Sequence, residues 1–121
     1  MGEYFMLAQL TLQELKQKPQ SSYQIIDIRT PYEYASGHFP NAKNIPYDVL
    51  VMYPDSYLKR NETYYLICAH GSLSHRASAI LQSYGYKVAN IKNGYSIDMR
   101  FLEARDWTLE VGERCFLIPY F

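Results

Sequence analysis

The run YYLIC, residues 64 to 68, is apolar at every position. A strand with one face in water alternates apolar and polar residues, so an unbroken apolar run predicts a strand that is covered on both faces. Strands buried in this way are typical of parallel sheets, whose crossover helices cover both faces.

Shorter strand and helix patterns alternate around this run. Strand patterns lie at 23–28, 42–46 and 87–91. Helix patterns lie at 11–19, 30–37, 47–59, 74–85 and 93–104. Because strands and helices alternate along the chain, the sequence predicts an α/β fold with a mainly parallel sheet.

Local signals predict where several helices begin and end. Thr11 with Glu14 forms a capping-box pattern, and Thr30 precedes a proline at the first helical position. In the helix pattern at 74–85, Gly85 is expected at the C-cap. The apolar face of that helix is predicted at Ala77, Ile80, Leu81 and Tyr84.

Length and charge limit the classes of partner. The chain has 121 residues, which fits a single domain over 1–121, and its formal net charge is zero. There is no Lys/Arg run of the kind that binds nucleic acid, and no apolar stretch approaches the roughly 20 residues that span a bilayer. The first ten residues lack the basic start and cleavage site of a secretory signal. We therefore expect a cytoplasmic protein without nucleic-acid or membrane partners.

Cys68 ends the buried run and is followed by Gly71 and by a helix that is expected to start near Ser74. Such a helix points unpaired backbone amides back toward the cysteine, and a glycine lets the loop turn with its amides facing inward. A thiol in that setting loses its proton more easily, and the same amides can hold an anion attached to its sulfur. Cysteine is also often a small buried apolar residue, so the pattern alone leaves catalysis and burial equally open.

The second cysteine, Cys115, lies in an apolar tail and is expected in the core or at an interface. Two cysteines cannot form a disulfide framework, and their spacing is not that of a metal site. We therefore expect no bound metal.

Three segments resemble those of single-domain rhodaneses, a family of sulfurtransferases. Residues 25–46, IIDIRTPYEYASGHFPNAKNIP, resemble the family's Asp-x-Arg strand end, Glu-Tyr helix and GH-x-P-x-A-x-x-IP segment. Residues 65–86 match the active-site strand, loop and helix, and 88–94 resembles the segment that usually ends in two glycines. The resemblance covers about residues 9–100. It implies a rhodanese-like fold, with a mostly parallel sheet of about five strands and helices on both faces.

The resemblance also implies sulfur transfer without an organic cofactor or metal. Cys68 would attack the outer sulfur of a donor such as thiosulfate and become a persulfide. A thiol, cyanide or a protein acceptor would then remove that sulfur. The substrate-binding loop would consist of Ala69, His70, Gly71, Ser72, Leu73 and Ser74.

Four further residues in or near this region are weighed individually. Asp27 and Arg29 end a neighbouring strand pattern and match a strand-end pair of the family. A structural ion pair that supports the loop is favoured over a role for Arg29 in attracting anions. The family's loop carries an arginine that this loop lacks, and Arg76 could replace it. A solvent-facing position for Arg76 is preferred. His70 could contact a substrate, and a solvated position is equally open.

Three places depart from the family pattern, the last being Asp98 or Met99 where the family often has a tryptophan. Leu73 stands where the family loop has arginine, and Asn93 replaces the first of the paired glycines. Leucine brings no charge, so we expect weak use of thiosulfate and a preference for a less charged persulfide donor or a protein partner. A rhodanese-like binding or regulatory module with little turnover is the alternative. A related phosphatase of the cell-cycle dual-specificity type ranks lowest, because it needs an arginine where this chain has Ser74.

Overall fold

The computed structural model describes residues 9–96, 108–111 and 114–117. The strands are β1 (Gln9–Leu10), β2 (Gln24–Asp27), β3 (Lys43–Asn44), β4 (Thr63–Ile67), β5 (Lys87–Ile91), β6 (Thr108–Val111) and β7 (Arg114–Leu117). The α-helices are α1 (Leu12–Lys16), α2 (Pro31–Ser36), α3 (Tyr47–Met52) and α4 (Ser72–Ser83). Short 3₁₀ turns lie at Gln20–Ser22, Pro54–Ser56 and Gly94–Ser96. Within these residues, no helix has the length and apolar character needed to cross a membrane.

Five strands form one parallel sheet in the order β1-β5-β4-β2-β3. The apolar run identified in the sequence is β4, and it lies at the centre because both of its faces are apolar. Leu66 of β4 pairs with Ile26 of β2 on one side and with Asn90 of β5 on the other. The predicted α/β class and five-stranded parallel sheet are confirmed. β6 and β7 pair antiparallel in a separate two-stranded sheet.

Helices cover both faces of the sheet, as predicted. On one face, Leu12 and Leu15 of α1 pack in a cluster with Ile67 of β4. On the other face, Leu50 of α3 and Leu81 of α4 pack in a second cluster. Each of these leucine side chains is fully buried. The two clusters hold β4 between them, so the strand that carries Cys68 at its end is anchored from both sides.

The capping signals are confirmed and extend to a second box. Thr11 Oγ1 accepts from the N–H of Glu14 at 3.0 Å, and Glu14 Oε1 accepts from the N–H of Thr11 at 2.8 Å. Thr30 and Glu33 make the same reciprocal pair at the start of α2. The helix that was predicted over 93–104 lies mostly outside the described residues.

Three predictions for α4 are wrong: its start, its C-cap and the burial of Tyr84. The helix begins at Ser72, two residues before the predicted start, and its C-cap is Tyr84, with Gly85 following at φ +94°. Tyr84 is half exposed rather than on the buried face. The buried side chains of α4 are Ser74, Ala77, Ser78, Leu81 and Gln82. Polar residues can occupy this face because buried polar groups are tolerated once hydrogen-bonded, as when Gln82 Nε2 donates to the carbonyl of Val88 at 2.7 Å.

Two leucines of α4 allow a matched test of this orientation. Leu81 is fully buried, whereas Leu73 is 37% exposed. We expect Leu81→Ala to lower the free energy of unfolding by about 2–5 kcal/mol, because it leaves a cavity in the core. Leu73→Ala should change it by about 0.5 kcal/mol. Urea denaturation measures both, and equal losses would contradict the assigned buried face.

Candidate active site

The sulfur of Cys68 lies in a cup of hydrogen-bond donors. Cys68 directly follows β4, and the N–H groups of Gly71 and Ser74 point at its Sγ at 3.2 and 3.3 Å. The hydroxyl of Ser74 also lies 3.3 Å from Sγ. These distances are within hydrogen-bond range for sulfur. The loop amides therefore face inward, onto the position where a thiolate or a sulfur-bound anion would carry its charge.

Glycine makes this loop possible at two places. Gly71 is the N-cap of α4 with φ +96°, a backbone conformation that side-chain-bearing residues rarely adopt. A Cβ on Gly71 would lie 2.7 Å from the backbone nitrogen of Asn93. A Cβ on Gly94 would lie 1.9 Å from the carbonyl oxygen of Cys68. The turn at 93–95 therefore forms a close support beneath the loop, and the N–H of Tyr95 donates to that same carbonyl at 3.0 Å.

A cavity of about 580 Å³ opens above the sulfur. Its lining includes Cys68, Ala69, His70, Ser72 and Leu73 from the loop, and Arg29, Glu33, Tyr47 and Asp48 from the neighbouring segments. A cysteine at the base of an open cavity is expected to be partly accessible, but Cys68 is only 4% exposed. The enclosing Gly71 and Ser74 groups explain the difference. Any group that reacts with Sγ must reach it from the cavity.

The structure brings most of the predicted loop residues to this cavity and leaves others outside it. Leu73 stands at its rim with 37% exposure, and His70 is exposed beside it. Gly71 and Ser74 are buried beneath the cavity, where they contact the sulfur rather than line the opening. Arg76 is exposed on α4 and does not line the cavity, as the preferred expectation had it.

Asp27 and Arg29 form an ion pair beside the cavity. The Arg29 guanidinium donates to Asp27 Oδ2 at 2.7 Å and to Oδ1 at 3.0 Å, and it also donates to the carbonyl of Gly37 at 2.8 Å. Burial opposes the charge of Arg29, but the hydrogen bonds and attraction to Asp27 outweigh it, so the pKa of Arg29 is raised. Most of this guanidinium is therefore occupied within the protein.

Sequence reasoning missed Tyr95, which joins this ion pair to the cysteine loop. Its hydroxyl donates to Asp27 Oδ2 at 3.0 Å and accepts from the N–H of Phe39 at 3.0 Å. The guanidinium carbon of Arg29 lies 4.0 Å from the centre of the Tyr95 ring. Burial, followed by the negative charge of Asp27, raises the pKa of Tyr95. No local pattern marks this role, because its partners lie far away in the sequence.

Sequence reasoning also missed Asn90, a buried polar residue on β5. Ser74 Oγ donates to Asn90 Oδ1, and Asn90 Nδ2 donates to Gln9 Oε1 at 3.3 Å. A polar chain therefore runs from Cys68 through Ser74 and Asn90 to the edge strand β1. The only signal in the sequence is an asparagine within an otherwise apolar stretch of strand.

Comparisons with known proteins point to one family. The sequence model of the rhodanese-like domain matches residues 11–97. A Bacillus subtilis protein named "Putative sulfur carrier protein YrkF" is 30% identical over 105 residues, which is 84% of this chain and 51% of that protein. An Allochromatium vinosum protein named "Sulfurtransferase" is 34% identical over 71 residues, which is 58% of this chain and 65% of that protein.

A solved structure agrees with these relatives. The Staphylococcus aureus rhodanese-like domain protein is 38% identical, with a TM-score of 0.61 over 71% of this chain and 85% of that one. The chain spans about half to two thirds of the length of the curated relatives that it matches.

Two glycines with positive φ give a matched test of the support beneath the loop. A Cβ on Gly85 would meet nothing closer than Arg60 Nε at 3.4 Å, whereas one on Gly94 would strike the Cys68 carbonyl. We expect Gly85→Ala to cost about 1–2 kcal/mol of stability, from backbone strain alone. Gly94→Ala should cost at least about 2 kcal/mol more.

Urea denaturation measures the two losses, and the alkylation rate of Cys68 reports on the loop. That rate should change in Gly94→Ala and stay at the parent value in Gly85→Ala. If Gly94→Ala behaves like Gly85→Ala in both measurements, the turn does not support the loop as described.

The raised pKa of Tyr95 predicts an alkaline effect on stability. Because the folded pKa lies above the ordinary value of 10.0, the contribution of Tyr95 is complete below that pH and is lost as pH rises beyond it. Tyr95→Phe removes two buried hydrogen bonds and should cost about 1–3 kcal/mol at about pH 8. At about pH 11 the difference between parent and variant should be smaller. A difference that does not change with pH, measured by urea denaturation, would argue against the assignment.

Proposed function

The chain belongs to the rhodanese-like domain family, and from this premise we propose that it is a sulfurtransferase or persulfide carrier that acts through Cys68. One observation carries the proposal: two backbone N–H groups converge on Cys68 Sγ at the base of an open cavity. Fixed dipoles that are aimed at a site of developing charge stabilise that charge without having to reorganise.

The proposed reaction has two displacements at sulfur. The Cys68 thiolate attacks the outer sulfur of the donor, a new S–S bond forms, and the donor's own bond to that sulfur breaks. With thiosulfate the leaving group is sulfite, which departs with the bonding electron pair. An acceptor thiolate or cyanide then attacks the terminal sulfur of the persulfide, and Cys68 leaves as a thiolate again. Neither step changes the number of protons or needs an added oxidant.

The loop residues Ala69, His70, Gly71, Ser72, Leu73 and Ser74 form the proposed substrate-binding segment. The anionic terminal sulfur of the persulfide would take its hydrogen bonds from backbone amides in this loop. Asp27 and Arg29 are assigned a supporting role, because their opposite charges largely neutralise each other in the ion pair. Arg76, which does not line the cavity, could contribute only by reaching toward its mouth.

The second candidate is a binding or regulatory module with little turnover. It is favoured by the exposure of Leu73 at the cavity rim, which offers an apolar contact in place of a charged one. A phosphatase reading is disfavoured. Ser74 is fully buried against the sulfur, and it stands where that chemistry needs an arginine.

Intact-mass measurement after incubation with thiosulfate or a low-molecular-weight persulfide tests the carrier role. We expect a mass gain of one sulfur atom on Cys68, removed by cyanide or a reducing thiol. Cys68→Ser is the control and should gain nothing. A parent protein that stays unmodified with both donors, while its Cys68 still reacts with iodoacetamide, would favour the binding module.

The identity of residue 73 should set how well thiosulfate is used. Leu73→Arg places a guanidinium at the cavity rim, where it can attract a doubly charged donor. A charge-assisted hydrogen bond contributes about 1.5–3 kcal/mol, so kcat/KM for thiosulfate should rise by about one to two orders of magnitude. The gain should weaken at high salt.

Leu73→Gln is the matched control, because it adds a polar side chain without a charge. Its kcat/KM for thiosulfate should stay close to the parent value. If the parent already turns over thiosulfate rapidly and Leu73→Arg brings no gain, the missing charge does not limit this site.

A further inference from the structure

The hydroxyl of Ser74 has more possible acceptors than protons to give. It lies 3.3 Å from Cys68 Sγ and 3.2 Å from the carbonyl oxygen of Gly71, and it also contacts Asn90 Oδ1. A hydroxyl has a single proton to donate, although it can accept two hydrogen bonds. The acceptor that receives this proton therefore decides whether the sulfur faces a donor or a lone pair.

Asn90 is placed to make that decision. It is 1% exposed, and on β5 it stands between apolar residues that are themselves buried. A buried amide is costly unless it is hydrogen-bonded, and its two partners are Ser74 on one side and Gln9 on the other. The amide thus connects the group that touches the sulfur to the exposed edge of the sheet.

In the structure, the chain of hydrogen bonds runs away from a protonated sulfur. The thiol of Cys68 donates to Ser74 Oγ, Ser74 donates to Asn90 Oδ1, and Asn90 Nδ2 donates to Gln9 Oε1. Within this series of bonds, Ser74 and Asn90 each use one donor and one acceptor. This arrangement suits the thiol and not the thiolate.

Loss of the thiol proton removes the first donor of this chain. The thiolate only accepts, so two sets of lone pairs would face each other unless Ser74 turned its proton toward Sγ. The Ser74 oxygen then needs a donor from behind. A half turn of the Asn90 amide about its last side-chain bond supplies one, because it exchanges Oδ1 for Nδ2. Gln9 carries an amide as well, and can reverse in the same way.

We propose that Asn90 is a positioning residue whose amide reverses when Cys68 ionises, so that Ser74 donates to the thiolate. This rests on the proposed role of Cys68 as the nucleophile. Asparagine is suited to the task because its side chain presents a donor and an acceptor of almost the same shape. A carboxylate in its place would only accept, and would keep the Ser74 proton away from the sulfur.

Other charged groups also face the sulfur and must be held constant. The cavity above it carries Arg29, Glu33, Tyr47, Asp48 and His70. Asp27 is buried in its ion pair with Arg29, and His75 and Arg76 are exposed near the start of α4. The variants proposed below leave all of these groups in place. Differences between the variants therefore report on the polar chain.

The first test uses the unmodified protein and observes the amide directly. In a pH titration followed by NMR, the side-chain N–H signals of Asn90 should shift together with the Cβ signal of Cys68. The shift should be much smaller in Ser74→Ala. Asn44 is the internal control, since its amide donates to the carbonyls of Asp27 and Arg29 and should not follow the sulfur. Asn90 signals that stay constant while Cys68 titrates would overturn the proposal.

The second test is a double-mutant cycle on the pH profile of Cys68 alkylation. Asn90→Asp should move the midpoint of the profile upward by about one to two pH units when Ser74 is present. In the Ser74→Ala background, the added charge remains but the hydroxyl is gone, so less than half of that displacement should persist. Equal displacements in the two backgrounds would mean that Asn90→Asp acts only through its added charge. That result would overturn the proposed role of Asn90.

Neither test uses a sulfur donor. If the protein fails to transfer sulfur, the proposed function is contradicted. The NMR and alkylation results can still be interpreted in that case. If the Asn90 amide does not reverse, the sulfur-transfer measurements are unaffected.

Discussion

The buried carboxylate of Asp27 joins the groups that hold the sheet edge next to the Cys68 loop. It is fully buried and accepts hydrogen bonds from the backbone and guanidinium of Arg29 and from the hydroxyl of Tyr95. An unpaired buried carboxylate costs several kcal/mol, so these donors are kept in place together. Through Arg29 the carboxylate reaches the carbonyl of Gly37, and through Tyr95 it reaches that of Cys68. The Asp27–Arg29 ion pair at the end of the neighbouring strand β2 therefore helps to fix the position of the loop that follows Cys68.

A second constraint on the loop lies in the backbone of the turn beneath it. Gly94 approaches the Cys68 carbonyl too closely for any side chain, and Asn93 has φ +67°. Asparagine enters this left-handed region more readily than most residues, so the replacement of a family glycine at Asn93 preserves the turn. The amides that face the sulfur are therefore fixed before any donor arrives, which is the condition under which dipoles stabilise a charge most effectively.

The elements that sequence predicts well are those that local chemistry determines. The Thr11 capping box and the doubly covered strand β4 depend on neighbours within a few residues. The placement of Arg29 near Cys68 follows from one general rule about the ends of parallel strands. Tyr95 and Asn90 could not be identified from the sequence, because their hydrogen-bond partners lie on other elements of the fold and leave no spacing to detect. The buried face of α4 was misjudged for a related reason: the side chains of Ser74 and Gln82 are hydrogen-bonded to groups that only the folded chain brings near.

The pairing of charged groups around the cavity also affects which molecules the site can recognise. Arg29 lines the cavity, yet its guanidinium is committed to Asp27 and to a backbone carbonyl, so its positive charge is largely balanced. Leu73 adds an apolar wall, and Asp48 adds a carboxylate to the lining. The remaining groups that can attract a donor are the amide dipoles at the sulfur, which act over a short range, and the exposed imidazole of His70. A site of this kind discriminates by how a donor sulfur fits against Cys68 rather than by how strongly a distant anion is drawn in. Under the proposed function, we therefore expect the site to use a persulfide carried on a small thiol or on a protein better than a small dianion.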